Sequence, residues 1–339
     1  LFYIMLKKIG NIIKFVLFVG LGLFFIYWFL SKLTPDEKAQ IWQAFDNVNY
    51  FWVAVVFITG VVSHVIRALR WRLLFEPLGY KPRTSTTFGA VMIAYLANLA
   101  VPRLGEVLRC GVLNQYEKIP IQTSLGTVVT ERIIDLIGFA LTVLLGLVLE
   151  FNLLKDYLYD ALSQKMAVPS LATLVAVGVS GLVLFIVLYR IFRKKLMQIP
   201  LFVKVKTTIM DFWQGIKSIL HLRRPWLFVI YSLLIYFLYF LGGYIAFLVL
   251  PETMHLTLVA ALMVYIFGSV GMMVTPGGIG LYPALIAETL AIYKITKPIG
   301  YALGWISWGV QQIVTLVFGM GYLIALPLMK KKNDKTGNQ

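Results

Sequence analysis

Two short segments determine how this chain can fold: Val101-Pro102-Arg103-Leu104-Gly105-Glu106 and Thr275-Pro276-Gly277-Gly278-Ile279-Gly280. Each one interrupts an apolar stretch, and the two lie at about the same place in the two halves of the chain. Proline and glycine break helical hydrogen bonding, and a broken backbone at membrane depth is tolerated only where protein buries it or where it lines a polar cavity. Matched interruptions in two halves are typical of a transporter built from repeats.

The composition indicates a polytopic membrane protein. Of the 339 residues, 60% are hydrophobic and 14% are charged, whereas soluble domains contain about 45–50% apolar residues. This composition excludes a sizeable soluble enzyme domain. The net charge of +16 comes from basic residues between apolar segments, where they orient the chain and meet anionic lipid headgroups. We therefore expect no nucleic-acid partner. The single cysteine, Cys110, excludes an internal disulfide, and we expect no metal and no cofactor.

Six apolar runs are long enough to cross a hydrocarbon core of about 30 Å. They lie near residues 12–30, 48–66, 121–149, 169–189, 226–250 and 298–326. Two further regions, 86–116 and 256–293, consist of shorter apolar pieces on either side of the two interruptions. We predict an all-α polytopic membrane protein with six full spans and two re-entrant helical hairpins.

The charges of the loops predict the orientation of these segments. Lysines before the first span place the N-terminus in the cytoplasm. The second span is followed by a basic cluster that we interpret as cytoplasmic, namely Arg67, Arg70, Arg72, Lys81 and Arg83. The strongly basic loop 190–225 is also cytoplasmic only if region 86–116 enters and leaves on one side. By the same parity, region 256–293 enters and leaves from outside, so that the two hairpins belong to an inverted repeat.

The predicted organisation has four parts. They are a cytoplasmic N-terminus at 1–11, a first transmembrane half at 12–168, a second half at 169–326 and a cytoplasmic basic tail at 327–339. Met5 is the expected natural start, with residues 1–4 added before it, and the first apolar run is expected to remain as an uncleaved anchor. We expect a multi-pass protein of the bacterial cytoplasmic membrane that can form a homo-oligomer.

Polar and charged residues gather near the first interruption. The candidates are Asn98, Arg103, Glu106 and Arg109 in the hairpin, and Glu131, Arg132 and Asp135 in the next span. An ionised group at the centre of a lipid-facing helix costs about 2.5–3.5 kcal/mol, so this cluster predicts an interior, paired and wetted site. Arg103, Arg109 and Arg132 are the expected cations for the two acids. Two compatible interpretations stay open: a structural salt-bridge network, and arginines that bind an anionic headgroup bidentately.

The second interruption and the last span supply the other candidates, which are Pro276, Gly277, Gly278, Gly280, Gln311 and Gln312. The glycines offer backbone amides that could seat a phosphate, or they form a tight turn against a neighbouring helix. The two glutamines bind a ligand or link helices. Five tryptophans at predicted span ends are interpreted as interfacial anchors, namely Trp28, Trp42, Trp52, Trp71 and Trp226.

Four of these segments, taken in order, resemble the motifs of a known family. They are Arg67-Ala68-Leu69-Arg70-Trp71, Pro102-Arg103-Leu104-Gly105-Glu106 with Arg109, Glu131-Arg132 with Asp135, and Pro276-Gly277-Gly278-Ile279-Gly280. From about residue 10 to 326 the chain resembles the flippase-like membrane region of lysylphosphatidylglycerol synthetases. The resemblance implies an eight-segment bundle with re-entrant hairpins that moves a lipid between leaflets. It does not extend to the soluble aminoacyltransferase domain of those enzymes, so we expect no synthase activity. Tyr282-Pro283 stands where the family often has an acidic residue, which leaves the identity of the transported lipid open.

Three classes of function are therefore considered. The leading hypothesis is a lipid translocase that carries a polar or anionic phospholipid headgroup past a site between the two hairpins by alternating access, with membrane lipids as partners. The second is a secondary transporter of a small anionic solute. The third is a membrane enzyme, or an accessory subunit of a lipid-modifying enzyme. The sequence contains no candidate nucleophile with a paired base, so we expect a transporter rather than an enzyme.

Overall fold

The computed structural model describes residues 20–101, 103–151, 180 and 222–336, and all the regular structure in them is helical. In the first part of the chain the helices are α1 (Gly20–Ser31), α2 (Pro35–Asp46), α3 (Tyr50–Leu73), α4 (Thr84–Ala100), α5 (Leu104–Glu117) and α6 (Ile121–Leu149). In the second part they are α7 (Pro225–Ala246), α8 (Leu258–Val274), α9 (Leu281–Ile292) and α10 (Lys297–Thr336). The predicted helical class is confirmed.

Four helical segments of the described residues are long and apolar enough to cross a membrane. They are Tyr50–Leu78, Ile121–Leu149, Pro225–Val249 and Lys297–Met329. These segments match the spans predicted near 48–66, 121–149, 226–250 and 298–326. The predicted span 12–30 is described only from Gly20 onward, and the predicted span 169–189 lies outside the described residues except for Ser180. Re-entry of the hairpins into the membrane stays a prediction.

Polar caps begin several helices. The Thr34 hydroxyl accepts from the Glu37 amide at 3.2 Å, while the Glu37 carboxylate accepts from the Thr34 amide at 2.7 Å. Asn49 caps α3 by accepting from the Phe51 amide at 3.1 Å. Each such cap stabilises a helix by about 1 kcal/mol, so the starts of α2 and α3 follow from short polar sequences between apolar runs.

Each region predicted as a hairpin forms a pair of packed helices, with α4 packed on α5 and α8 packed on α9. The first helix of each pair ends just before the proline. The Val101 amide donates to the Ala97 carbonyl at 2.9 Å, and the Thr275 amide donates to the Gly271 carbonyl at 3.3 Å. Both Val101 and Thr275 have extended backbones, as expected for a residue that precedes proline. The breaks therefore follow from the local sequence.

The chain divides into two compact units. The first comprises residues 1–131 and 222–339, and the second comprises residues 132–221, of which 132–151 and 180 are described. Small residues allow close helix packing in the first unit: a Cβ at Gly304 of α10 would lie 2.6 Å from the Pro283 Cα of α9. Such close contact between backbones is the usual way in which membrane helices associate.

Candidate functional site

A fully buried carboxylate lies among three arginines in the first unit. Glu131 Oε1 accepts from Arg67 Nη1 at 3.1 Å and from Arg70 Nη2 at 3.2 Å, and Oε2 accepts from Arg109 Nη1 at 2.8 Å. No side chain of this group is more than 8% exposed. We call Arg67, Arg70, Arg109 and Glu131 the arginine cluster. Hydrogen bonds between ionised groups are about twice as strong as neutral ones.

Helix geometry brings the arginine cluster together. Arg67 and Arg70 lie three residues apart on α3, so their side chains share one face. Arg109 comes from α5, and Glu131 lies about 15 Å along α6 from its start, at 1.5 Å per residue. Glu131 can therefore lie well inside the bundle, where charged side chains must be paired.

Helix α7 supplies two hydroxyl groups that contact the cluster. Arg67 Nη2 donates to the Tyr239 hydroxyl at 2.9 Å, and Arg70 Nη1 donates to Ser232 Oγ at 3.3 Å. Because the earlier residue of α3 contacts the later residue of α7, the two helices are antiparallel. Neither hydroxyl was a candidate in the sequence analysis, since a serine or tyrosine in an apolar span carries no distinctive pattern.

An aromatic residue supports Arg109. The guanidinium carbon of Arg109 lies 4.6 Å from the centre of the Trp71 ring, and Trp71 Nε1 donates to Thr127 Oγ1 at 2.9 Å. A cation over the face of tryptophan is stabilised by about 0.5–2 kcal/mol. Trp71 is completely buried, so its interpretation as an interfacial anchor is wrong.

One edge of Arg109 is unused. Its Nε and Nη2 atoms are buried and have no hydrogen-bond partner in the part of the chain that the structure describes. These two donors lie side by side on the guanidinium, on the edge that chelates two oxygens of a phosphate or a carboxylate. Glu131 and Trp71 hold the guanidinium in this orientation.

The members of the predicted charged network differ in their ion pairs and exposure. Arg109 and Glu131 pair as expected, whereas Arg132 pairs with Asp135 in the second unit at 3.6 Å, with side chains 43% and 17% exposed. Arg103 is exposed and makes no ion pair with any described residue. Because Arg103 lies at the tip of the hairpin, its expected role as a cation for Glu131 is wrong.

Two cations of Glu131 come instead from the group interpreted as a cytoplasmic cluster. Helix α3 continues to Leu73, beyond the predicted span end at residue 66, and this extension buries Arg67 and Arg70. Their interpretation as orienting loop charges is therefore corrected. The helical spacing of Arg67, Arg70 and Trp71 is the signal that could have identified them.

The remaining hairpin candidates occupy defined positions near the first break. Asn98 Oδ1 accepts from the Gly105 amide at 2.8 Å and so closes the break. A Cβ at Gly105 would collide with the Ala94 carbonyl, so α5 lies directly against α4 there. Glu106 is half-buried beside these residues. Asn98 and Gly105 thus give the hairpin its tight tip.

The second break is built around the carbonyl of Gly277. This oxygen accepts from Trp308 Nε1 at 2.6 Å and from Gln312 Nε2 at 3.3 Å, both on α10. The Gly278 amide donates to the Thr275 carbonyl at 3.0 Å, which fits the tight-turn alternative. The Gly277 carbonyl therefore faces two polar side chains, and a phosphate seat of backbone amides stays a prediction.

The two breaks meet in the first unit. A Cβ at Gly277 would lie 2.7 Å from Leu99 Cδ2, and one at Gly280 would collide with the Gly22 carbonyl of α1. Pro276 and Gly278 are buried in this turn. The ends of α4 and α8 thus lie side by side, and only glycine fits at the contacts.

The two glutamines of α10 have different environments. Gln311 is exposed, whereas Gln312 is 7% exposed. Consecutive residues on a helix point about 100° apart, which explains the difference. The pair therefore does not act as one hydrogen-bonding unit.

Comparisons with known proteins agree with this architecture. Residues 11–320 match the family model described as the lysylphosphatidylglycerol synthase TM region. A UPF0104 membrane protein of Methanocaldococcus jannaschii is 21% identical over 343 aligned positions, which cover 96% of this chain and 98% of that protein. The glycosyltransferase AglD of Haloferax volcanii is 28% identical over 149 positions, covering 43% of this chain and 22% of that protein. No solved structure matches the chain at a significant level.

Proposed function

Because the chain belongs to the lysylphosphatidylglycerol synthase TM-region family, we propose that this multi-pass membrane protein moves a polar or anionic phospholipid between leaflets. The headgroup passes between the two broken hairpins while its acyl chains remain in the bilayer. This route avoids carrying a charge through hydrocarbon. We propose that the protein lies in the bacterial cytoplasmic membrane. The loop charges favour an orientation with both termini in the cytoplasm.

The unused edge of Arg109 is the observation that carries this proposal. A buried donor without a partner costs about 1–3 kcal/mol, and Arg109 has two such atoms on one edge. The phosphate of a lipid headgroup would supply the two missing acceptor oxygens. Glu131 and Trp71 would position the guanidinium before the lipid arrives, which reduces the entropy lost on binding.

The other candidates have supporting roles in this proposal. Arg103, exposed at the tip of the first hairpin, would attract the headgroup toward the break. Asn98 would hold that tip closed around the Gly105 amide. The second break, from Pro276 to Gly280, would form the opposite wall of the path. Glu106, half-buried beside the tip, would adjust the charge there.

The proposed activity is transport without a chemical step. The matching family model describes a membrane region of a synthase. The name glycosyltransferase belongs to a protein of which this chain matches 22% of the length. We assign the arginine cluster to binding, because the unused edge of Arg109 suits an oxyanion.

Inter-leaflet exchange of fluorescent phosphatidylglycerol in liposomes tests the proposal. The wild-type protein should accelerate exchange above the protein-free rate. Arg109→Lys keeps the charge but cannot chelate two oxygens, so exchange should slow about tenfold. The matched control is Arg83→Lys, since Arg83 is half-exposed and pairs with Glu117 at 3.1 Å. Its rate should stay within about twofold of wild type, because exposed ion pairs contribute little.

Two results would contradict lipid transport. If labelled inorganic phosphate is taken up while no lipid exchanges, the protein is a transporter of a small anionic solute. If neither moves above the protein-free rate, the arginine cluster is a structural salt-bridge network.

A further inference from the structure

The side-chain oxygen of Gln312 lies unused at the junction of the two breaks. The residue is 7% exposed, and its Oε1 atom is buried without a hydrogen-bond partner in the described part of the chain. It lies 3.9 Å from the position that a Cβ on Gly277 would take. An unsatisfied buried acceptor of this kind is rare in folded proteins.

The orientation of the Gln312 amide follows from its neighbour. Gln312 Nε2 donates to the Gly277 carbonyl at 3.3 Å, and a reversed amide would place two acceptor oxygens against each other. The same carbonyl also accepts from Trp308 at 2.6 Å. These two hydrogen bonds use both lone pairs of the Gly277 carbonyl oxygen. Gln312 Oε1 is therefore a buried side-chain acceptor that remains open among the described residues of this junction.

From this geometry we propose that the junction is a second binding site, which recognises a hydroxyl group of a lipid headgroup through Gln312 Oε1. A hydroxyl would donate to this oxygen and recover the hydrogen bond that the apo protein lacks. An ammonium group fits less well, because Leu99, Trp308 and Gln312, which lie against Gly277, are all neutral. A buried cation without an anionic partner is costly.

The site is separate from the arginine cluster but connected to it along α4. Tyr95 lies one helix turn before Leu99, which touches Gly277, and the Arg67 guanidinium lies 6.0 Å from the Tyr95 ring. This inference rests on the proposed function, since the headgroup must travel between the cluster and the junction. The cluster would bind phosphate and the junction would bind hydroxyl, so together they select a hydroxylated phosphodiester lipid.

Two lipids that differ only in hydroxyl groups test the inference. Phosphatidylglycerol and phosphatidylpropanol carry the same phosphodiester charge and the same three headgroup carbons, but propanol offers no donor. In liposomes, the wild-type protein should exchange phosphatidylglycerol about tenfold faster than phosphatidylpropanol, the effect of one buried hydrogen bond. Gln312→Met keeps the length of the side chain and removes the acceptor. The exchange of phosphatidylglycerol by this variant should therefore slow to the rate of phosphatidylpropanol.

Thr315→Val is the matched control. Thr315 is also a buried polar residue of α10, but its hydroxyl donates within the helix to the Gln311 carbonyl at 3.0 Å. The preference of this variant should equal that of the wild type. The wild-type comparison is decisive by itself, so a Gln312→Met protein that fails to fold does not prevent the test.

The outcomes separate the two proposals. Equal wild-type rates for the two lipids would overturn the hydroxyl site and leave lipid transport intact, with Gln312 Oε1 satisfied by water alone. A faster rate for phosphatidylethanolamine than for phosphatidylglycerol would overturn it in favour of an ammonium site. If neither phosphodiester lipid moves, the proposed function itself fails.

Discussion

The two breaks share a backbone course and differ in their chemistry. Each has an extended residue before the proline, with φ and ψ of −140° and 117° at Val101 and −114° and 150° at Thr275. Each then has a left-handed residue after the proline, with φ and ψ of 67° and −4° at Arg103 and 59° and 14° at Gly277. Glycine adopts this conformation without strain, whereas a residue with a side chain pays about 1–3 kcal/mol.

The difference indicates how function is divided between the hairpins. The first break keeps an arginine at a strained position and continues into α5, whose Arg109 joins the arginine cluster. The second break is neutral; α1 packs against it at Gly280, and α10 binds the Gly277 carbonyl. One backbone motif therefore supports a charged, exposed tip in one half and a packed junction in the other.

The largest expected effect on stability comes from a substitution in the arginine cluster. Glu131→Gln removes the carboxylate shared by three guanidiniums and should lower the free energy of unfolding by about 3–5 kcal/mol. Thermal unfolding in detergent measures this change. Asp135→Asn is the comparison, because its pair with Arg132 is partly exposed and should be worth less than about 1 kcal/mol. Equal losses in the two variants would show that the arginine cluster stabilises the protein no more than a partly exposed ion pair does.

Close packing at the breaks should give an intermediate effect. Gly105→Ala places a methyl group against the Ala94 carbonyl and should destabilise the protein by about 1–3 kcal/mol. Gly111 lies on the same helix with nothing within 4 Å of its Cβ position, so Gly111→Ala should be neutral or stabilising by up to about 1 kcal/mol. Similar melting temperatures for the two variants would contradict the tight contact between α4 and α5.

The smallest change in stability is expected when Arg103 of the first break is replaced by glycine, the residue at the matching position of the second break. Arg103→Gly relieves the positive φ but gives the unfolded chain more freedom, so the free energy of unfolding should change by less than about 1 kcal/mol. Exchange of phosphatidylglycerol should nevertheless fall about threefold, because the exposed cation no longer attracts the phosphate. An unchanged exchange rate would mean that Arg103 does not attract the phosphate and only takes part in the backbone turn.

Local sequence predicted the helices and the breaks well. Ile121–Leu149 forms one helix over the same residues as the predicted span, and the hairpins predicted at 86–116 and 256–293 form as helix pairs at 84–117 and 258–292. Apolar length and proline act over a few neighbouring residues, so they can be recognised in a single sequence. The end of α3 was predicted too early because Arg67 and Arg70 were interpreted as loop charges.

The sequence by itself determined that this is a helical membrane protein with two broken hairpins and a charged first half. Tertiary structure decided which cations surround Glu131, which edge of Arg109 stays open and which Gln312 oxygen lacks a partner. Helix formation depends on contacts a few residues apart, whereas Arg67 and Glu131 are separated by 64 positions along the chain. Only the packing of α3, α5, α6 and α7 brings such side chains within hydrogen-bonding distance, because each helix can rotate and slide until its polar groups are paired.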